Sequence, residues 1–413
     1  MGFDSCGNGT PLSILVVNAG SSSVKFGLFG FETLEAEATG MLDWAGDARR
    51  AALTFRPTGG EPVQTSIDAP DYRTGVTRAL RMIEQSQTAR AGHDGIRVVG
   101  HRLIHGGEGI RRPVEITAEM KQTIAHFSHL APLHIPAGLE AIEATEAALA
   151  GVYQIGVFDT AFFADIPPYA YLYPVPYQWY EDWGIRRFGF HGTSHAYCTD
   201  RAAELLGRDK LGLRLVICHL GQGSSATAVR NGVAVTNTMG FTPLEGFMMG
   251  TRSGTVDPGI LIYVQREKGL SVGQLDEILH NQSGLLGISG ISSDFRQVEA
   301  AARAGHARAQ LALDIYAYRV RTMVGALVVT LNGLDALVFT GGIGENSSWL
   351  REEVCKGLEC LGVHLDRRRN QTAEPDDDFA TADSPVRVLV IHTREDLMIA
   401  REARRMALAR DEG

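Results

Sequence analysis

The sequence predicts an α/β protein of two duplicated domains around a central cleft, and three observations carry that reading. The chain has 413 residues, too many for one ordinary core, so two domains are the default. An apolar strand, a Gly/Ser turn and a second strand occur twice, roughly two hundred residues apart, which is the mark of a duplication. A third apolar strand, late in the chain, also runs into a glycine-rich turn.

The elements follow in order. Ile14, Leu15, Val16 and Val17 are a short apolar run that stops at Asn18, a buried strand. After Ala19, Gly20, Ser21, Ser22 and Ser23, residues 24–29 alternate as the second strand of a hairpin. Residues 71–90 have helical spacing, and Val98 to Arg102 reads as a strand end entering a loop. The boundary between domains is expected just after Thr160, where proline and aromatic residues accumulate. The second unit starts with a strand over 213–219, the turn Gly221, Gln222, Gly223, Ser224, Ser225, another strand and a turn at Asn231 and Gly232. Residues 307–334 form a long apolar helix, but Asp314, Arg319 and Arg321 make it a core or interface helix, not a membrane span. Leu337, Val338 and Phe339 lead into the third glycine turn, 340–346. Residues 366–385 read as an irregular surface loop. Residues 396–410 read as a helix with an apolar face of Leu397, Ile399, Ala400, Ala403 and Met406.

Composition narrows the function classes. A net charge of -9 argues against nucleic acid or an anionic membrane as partner. Small anions stay open, because a few arginines and backbone dipoles set local fields. Five scattered cysteines without a close pair point to reduced thiols in a cytoplasmic protein and against a zinc site. The first residues lack a basic segment followed by an apolar stretch, and Cys6 stands where a myristoylation signal needs Ser or Thr.

The chemistry is concentrated at strand ends. Backbone N–H groups converging at a tight turn, with serine hydroxyls beside them, suit a phosphate. One such turn is an ordinary hairpin; three behind buried strands form a pattern. Walker-type and dinucleotide-binding glycine motifs are missing from strand-to-helix contexts. Arg102 and Arg252 sit among glycines in expected loops, and a guanidinium matches carboxylate and phosphate oxygens. A solvated surface arginine is the plainer alternative for each. His191 and His195 have the spacing of a metal pair but lack a zincin glutamate, and Gly192 disfavours a helix start, so a loop histidine donating to an anion is the better reading. His134 fits a structural loop. Asp159 at a strand end fits a base, a metal ligand or a helix cap.

Taken together, these segments resemble the acetate/propionate/butyrate kinase family, the acetate kinases, over nearly the whole chain after about residue 12. The resemblance rests on 17–23 with Lys25, 100–102 with 105–107, 131–134, 158–162, 189–195, 219–221 with Gly223, 240–246, 250–254, 342–346 and Glu395. It implies an actin/sugar-kinase/Hsp70 (ribonuclease H-like) fold, with residues 1–160 plus about 395–413 as the carboxylate and magnesium domain and 161–394 as the nucleotide domain. It implies a cytoplasmic homodimer of acetate metabolism and acetyl-CoA biosynthesis that transfers phosphate between ATP and acetate, with magnesium, or manganese in its place.

By the same resemblance Asn18 and Glu395 hold the metal shell, and Ser21, Ser23 and Lys25 lie by the phosphates. Arg102, with His134, binds substrate; Arg102 and Arg252 grip carboxylate and phosphoryl group. Asp159 is the proton donor/acceptor position and His191 stabilises the transferring phosphoryl. His219, Leu220, Gly221, Gln222 and Gly223 contact phosphates. Asp294, Phe295 and Arg296 match the adenosine side, beside Gly342, Ile343, Gly344, Glu345 and Asn346. Acetate is already ionised, so Asp159 is expected to orient a metal-bound water or Arg252 more than to remove a proton. Phe163 replaces the family's usual histidine, Ile135 an asparagine, Gln222 an asparagine, and Arg394 departs from the pattern before the last helix. The apolar Phe163 and Ile135 carry the expectation that propionate is accepted relatively well. A nucleotide-gated ATPase or interaction protein of the same superfold is the competing class. A sugar kinase is disfavoured by two arginines at the acceptor end.

Overall fold

The protein is described from a computed structural model, which covers residues 12–20, 23–44, 50–85, 95–131 and 134–412. It divides into two compact units, Met1–Ala161 with Arg394–Gly413, and Phe162–Thr393.

The first unit is organised by β1 (Ser13–Ala19), whose apolar run Ile14, Leu15, Val16, Val17 is buried throughout. A strand buried on both faces needs neighbours on both edges and layers above and below. β1 pairs antiparallel with β2 (Ser23–Gly30), which continues as a meander through β3 (Ala36–Asp43), β4 (Arg50–Pro57) and β5 (Val63–Asp68). On its other edge β1 runs parallel to β6 (Ile96–Leu103). Beyond β6 lie β7 (Val114–Glu115) and β8 (Tyr153–Phe158), giving the order β5-β4-β3-β2-β1-β6-β8-β7. The helices Tyr72–Gln85 and Ile135–Ala148 pack together, and the helix Glu395–Asp411 lies against β1, β6 and β8.

The second unit repeats the plan. β9 (Arg214–Leu220) pairs antiparallel with β10 (Ser224–Arg230), which pairs with β11 (Val233–Asn237). β9 also runs parallel to β12 (Ala336–Thr340). With β13 (Asp377–Asp378) and β14 (Arg387–Val390) the order is β11-β10-β9-β12-β14-β13. A meander followed by parallel strands thus occurs in both sheets, and the duplication read from the two hairpins is present. The apolar helix Ala307–Leu331 forms the core with β9, β10 and β12.

Three local expectations change, and a fourth is seen in part. Arg102 lies within β6, not in a loop. The glycine segment after β12 is the helix Gly341–Asn346 rather than a turn. Gly341 makes this possible: its φ is +77°, and a Cβ there would lie 2.8 Å from the Leu220 carbonyl oxygen. Residues 366–385 are not all irregular, since the helix Arg367–Thr372 and β13 fall inside, and Phe379 is fully buried. The helix expected over 71–90 is seen as Tyr72–Gln85, with 86–90 outside the described residues.

Candidate active site

In the first unit the strand order does the assembling. β1, β6 and β8 are parallel neighbours, and their registers align Asn18 with Arg102 and Leu103 with Phe158. Their carboxyl ends therefore deliver Asn18, Arg102 and Asp159 to one edge, where open α/β sheets place ligands. Asp159 is fixed by its N–H donating to the Leu103 carbonyl at 2.9 Å. Its carboxylate, 1% exposed, accepts a fork from Arg102, Nε at 3.1 Å and Nη2 at 2.7 Å. Arg102 Nη1 donates to Asn18 Oδ1 at 3.3 Å and stands 3.6 Å from Glu395 Oε2. Glu395 is the first residue of the last helix. Burial works against the Arg102 charge, but Asp159 and Glu395 outweigh it and raise the pKa.

Lys25 pairs in register with Asn18 and is exposed. Ser23 is half-buried, and Ser21 lies outside the described residues. A neighbour that sequence reasoning missed is Tyr72, whose hydroxyl donates to the Gly20 carbonyl at 2.6 Å while its ring stacks on Trp44. Burial first, and Glu140 second, push the phenol up to about 12, so it stays a neutral donor. His134 opens the helix Ile135–Ala148 and is half-buried. Ile135 is 0% exposed in a cluster with Leu103, Ile110 and Ile142.

In the second unit a helix does start after His191, against expectation. His191 takes φ 62°, ψ 30°, and Gly192–Leu206 follows. The left-handed residue turns the chain so that both histidine rings reach one hydroxyl. Ser225 Oγ lies 2.9 Å from His191 Nδ1 and 2.8 Å from His195 Nε2. His191 also stacks on His219, centroids 4.3 Å apart. His219 Nδ1 bonds Ser194 Oγ at 2.8 Å, which accepts from Thr393 Oγ1 at 2.8 Å. Ser194 and Ser225 lie in segments the sequence singles out, but nothing there ties them, or Thr393, to these histidines.

Arg252 arrives on a loop pinned by its own backbone. Met249 N–H donates to the Arg252 carbonyl, Ser283 N–H to Thr251 and Leu285 N–H to Met249. Its guanidinium donates to the Pro243 carbonyl at 3.2 Å, and among the described residues no carboxylate pairs with it. Burial lowers its pKa from 12.5, which still leaves it a cation at neutral pH. Gly223 joins the two groups: a Cβ there would sit 3.3 Å from His191 Nε2 and 3.4 Å from Arg252 Nη1.

Several predicted contacts have only main chain to offer. Leu220 is buried in the core, and Gln222 is exposed at the turn. Gly342 is open, and its N lies 4.0 Å from where a Cβ on Gly221 would be, so the second and third glycine segments adjoin. Glu345 is committed internally. It accepts from Gly341 N–H at 2.9 Å and Thr393 N–H at 3.2 Å, and pairs with His392 at 2.7 Å. Burial raises its pKa less than these partners lower it. Ile343 is half-buried, and Asn346 Nδ2 donates to the Gly342 carbonyl. Asp294 caps the helix Phe295–Arg303 and pairs with the exposed Arg296, while the Phe295 ring is buried against Tyr316 and Trp349. Phe163 is 1% exposed, packed on Ile166 and Ala234 and edge-on to His195.

Among the described residues no three His, Cys, Asp or Glu side chains converge as a metal cage. Asn18, Asp159 and Glu395 offer oxygen donors only, which suits a hard cation that takes one or two carboxylates and completes its shell with water and phosphate. Among the described residues no helix is long and apolar enough to cross a membrane.

Comparison with known proteins places this arrangement. The model of the acetokinase family matches residues 13–401. An acetate kinase of Cyanothece sp. is 47% identical over 398 residues, 95% of this chain and 97% of that protein. The solved acetate kinase of Porphyromonas gingivalis superposes with a TM-score of 0.90 at 40% identity, covering 96% of this chain and 100% of that one. A propionate kinase from Francisella tularensis superposes at 0.88 with 36% identity, covering 95% and 99%. The two sheets are the duplicated α/β fold of the actin and sugar-kinase type that the resemblance implied. The chain belongs to the acetokinase family.

Proposed function

We propose that the chain catalyses reversible phosphoryl transfer between ATP and acetate. In the forward direction an acetate oxygen forms a bond to the γ-phosphorus, the bond to the ADP oxygen breaks, and acetyl phosphate and ADP leave. Acetate arrives ionised, so no proton has to be removed. The barrier is the approach of one anion to another, and catalysis is positioning plus neutralisation of charge.

One observation carries this reading: Arg252, a partly buried guanidinium with no carboxylate partner among the described residues, faces Gly223 together with His191 Nε2. A buried cation without a counter-charge is costly unless an anion is its partner. The transferring phosphoryl group is that anion, with the backbone of 219–223 and 342–346 beside it as phosphate contacts. Arg102 serves the carboxylate side with His134. Both Asp159 oxygens accept from Arg102, which supports an orienting role toward that guanidinium in place of the one expected toward Arg252. Ser21, Ser23 and Lys25 serve the phosphates, and Asp294 and Arg296 serve the adenosine side, with Phe295 contributing main chain.

Magnesium, with manganese as a substitute, is the divalent ion assigned to Asn18 and Glu395; bound there it would neutralise phosphate charge. The first unit is accordingly the carboxylate and magnesium domain and the second the nucleotide domain. Ile135 and Phe163 are buried in apolar clusters, and propionate, accepted relatively well, is the alternative short-chain acceptor. We assign the enzyme to the cytoplasm and to a homodimer. The latter draws support from the helix Pro258–Lys268, which buries none of its residues although it carries Ile260, Ile262 and Tyr263. Trapping acetyl phosphate as the hydroxamate tests the activity. Hydroxamate that requires acetate, ATP and a divalent ion supports it; ATP hydrolysis without hydroxamate refutes it.

A further inference from the structure

One buried cluster in the second unit is left without a part in that chemistry: His195, Ser225 and the Phe163 ring. His195 and Ser225 are both 0% exposed. Ser225 Oγ touches two imidazoles, His191 Nδ1 at 2.9 Å and His195 Nε2 at 2.8 Å. A hydroxyl has one proton to give and two lone pairs to receive. Among the described residues these two rings are the hydrogen-bond partners of Ser225 Oγ, so its proton goes to one ring and the other ring donates to it.

His195 decides the direction. Its Nδ1 is buried with no hydrogen-bond partner, and the neighbour packed edge-on to the ring is Phe163, centroids 6.1 Å apart, which offers neither donor nor acceptor. An orphaned buried N–H is rarer than an under-satisfied acceptor. The proton of His195 therefore belongs on Nε2, where it is donated to Ser225. The Ser225 hydroxyl is then turned toward His191 Nδ1. A neutral imidazole with an accepting Nδ1 carries its proton on Nε2. That atom lies beside Gly223 and Arg252.

We infer that Ser225, oriented by His195, is a positioning residue that holds neutral His191 in its Nε2–H form as a donor toward the phosphoryl group; the last step rests on the role proposed for His191. Other groups around the pair agree. Burial, and then His219, lower the pKa of His195 well below 6.5, so it keeps a single proton. His219 is itself tied through Nδ1 to Ser194 and does not compete for Ser225. Arg252 on the far side of Gly223 is a donor and offers no site for the His191 proton.

The test is nitrogen-15 NMR on the full-length protein with labelled histidine, His191 and His195 being assigned by loss of their signals in His191→Gln and His195→Gln. The wild type should show both rings as Nε2–H at neutral pH. Ser225→Ala should shift His191 toward Nδ1–H and lower kcat roughly tenfold, the effect of one orienting hydrogen bond, with little change in KM. Ser225→Thr, which keeps the hydroxyl, should restore both. His191 found as Nδ1–H in the wild type overturns the inference, even if Ser225→Ala does not fold. So does a folded Ser225→Ala with unchanged tautomer and kcat. The reading of His191 itself fails separately, if His191→Gln retains full phosphoryl transfer.

Discussion

Gly223→Ala adds one methyl group at the point where the His191 and Arg252 donors of the second unit meet. The new carbon would lie 3.3 Å from His191 Nε2 and 3.4 Å from Arg252 Nη1, tighter than ordinary contact. Neither group yields freely. His191 is held by Ser225 and stacked on His219, and the Arg252 loop is pinned at both ends. Each must move by a few tenths of an ångström. A misplacement of about 1 Å costs about a hundredfold in rate, so a smaller shift of two groups together should lower kcat about 30-fold, or about 2 kcal/mol. KM for ATP should change by less than about threefold, because the lost contacts are strongest in the transition state. Folding should not suffer. Gly223 is not among the residues with positive φ, and alanine at a compatible position stabilises by roughly 0.4–1 kcal/mol. A coupled assay for ADP release and a thermal melt read both quantities. A variant with wild-type kcat and an unchanged melt would show that the reacting phosphoryl is elsewhere.

Three further outcomes follow from the same geometry. Arg252→Gln should lower kcat by about 10²–10³ while the melting temperature holds or rises, since a cation without a carboxylate partner is removed; a fall in melting temperature would contradict that electrostatic account. Asp159→Asn should break the fork on Arg102 and reduce turnover about a hundredfold at saturating divalent ion, with no shift of the pH–rate profile; near wild-type turnover would sink both the orienting and the base role. Glu345 has a pKa held below its ordinary 4.5, so its stabilisation is fully present above that value and is lost as pH falls through the lower, folded-state pKa. Urea titration should find Glu345→Gln about 1–2 kcal/mol less stable than wild type at about pH 7, with the gap closing as pH falls through the lowered folded-state pKa; a gap independent of pH would show that the charge is irrelevant.

Much of this architecture is readable from residues. The apolar runs over residues 14–17 and 215–218 each lead into a turn rich in glycine and serine, so both hairpins stand out. The parallel strands then turn sequence-distant Asn18, Arg102 and Asp159 into neighbours, which no local pattern announces. Arg102 looked like a loop residue because it follows glycine and histidine and precedes a glycine pair. It lies in β6 because Asp159 and Glu395 compensate a charge near the strand end. The helix after His191 was hidden because glycine at its first position argues against helix, whereas the left-handed His191 supplies the turn that starts it. Ser225 was invisible as more than a turn residue, since its importance lies in two rings brought to it from 30 and 34 positions away. Ile135 and Phe163, read as apolar departures from the family pattern, are packed in apolar clusters.

The central claim is that this chain moves the γ-phosphoryl of ATP onto a carboxylate, with Arg252 and His191 stabilising it in flight. Phosphorus-31 NMR of the purified protein with ATP, acetate and magnesium tests it most directly, run beside Arg252→Gln and His191→Gln. The account predicts acetyl phosphate and ADP appearing in equal amounts, ATP formed in the reverse direction from acetyl phosphate and ADP, and both signals strongly reduced in either variant. Inorganic phosphate in place of acetyl phosphate, or variants as fast as the wild type, would contradict it.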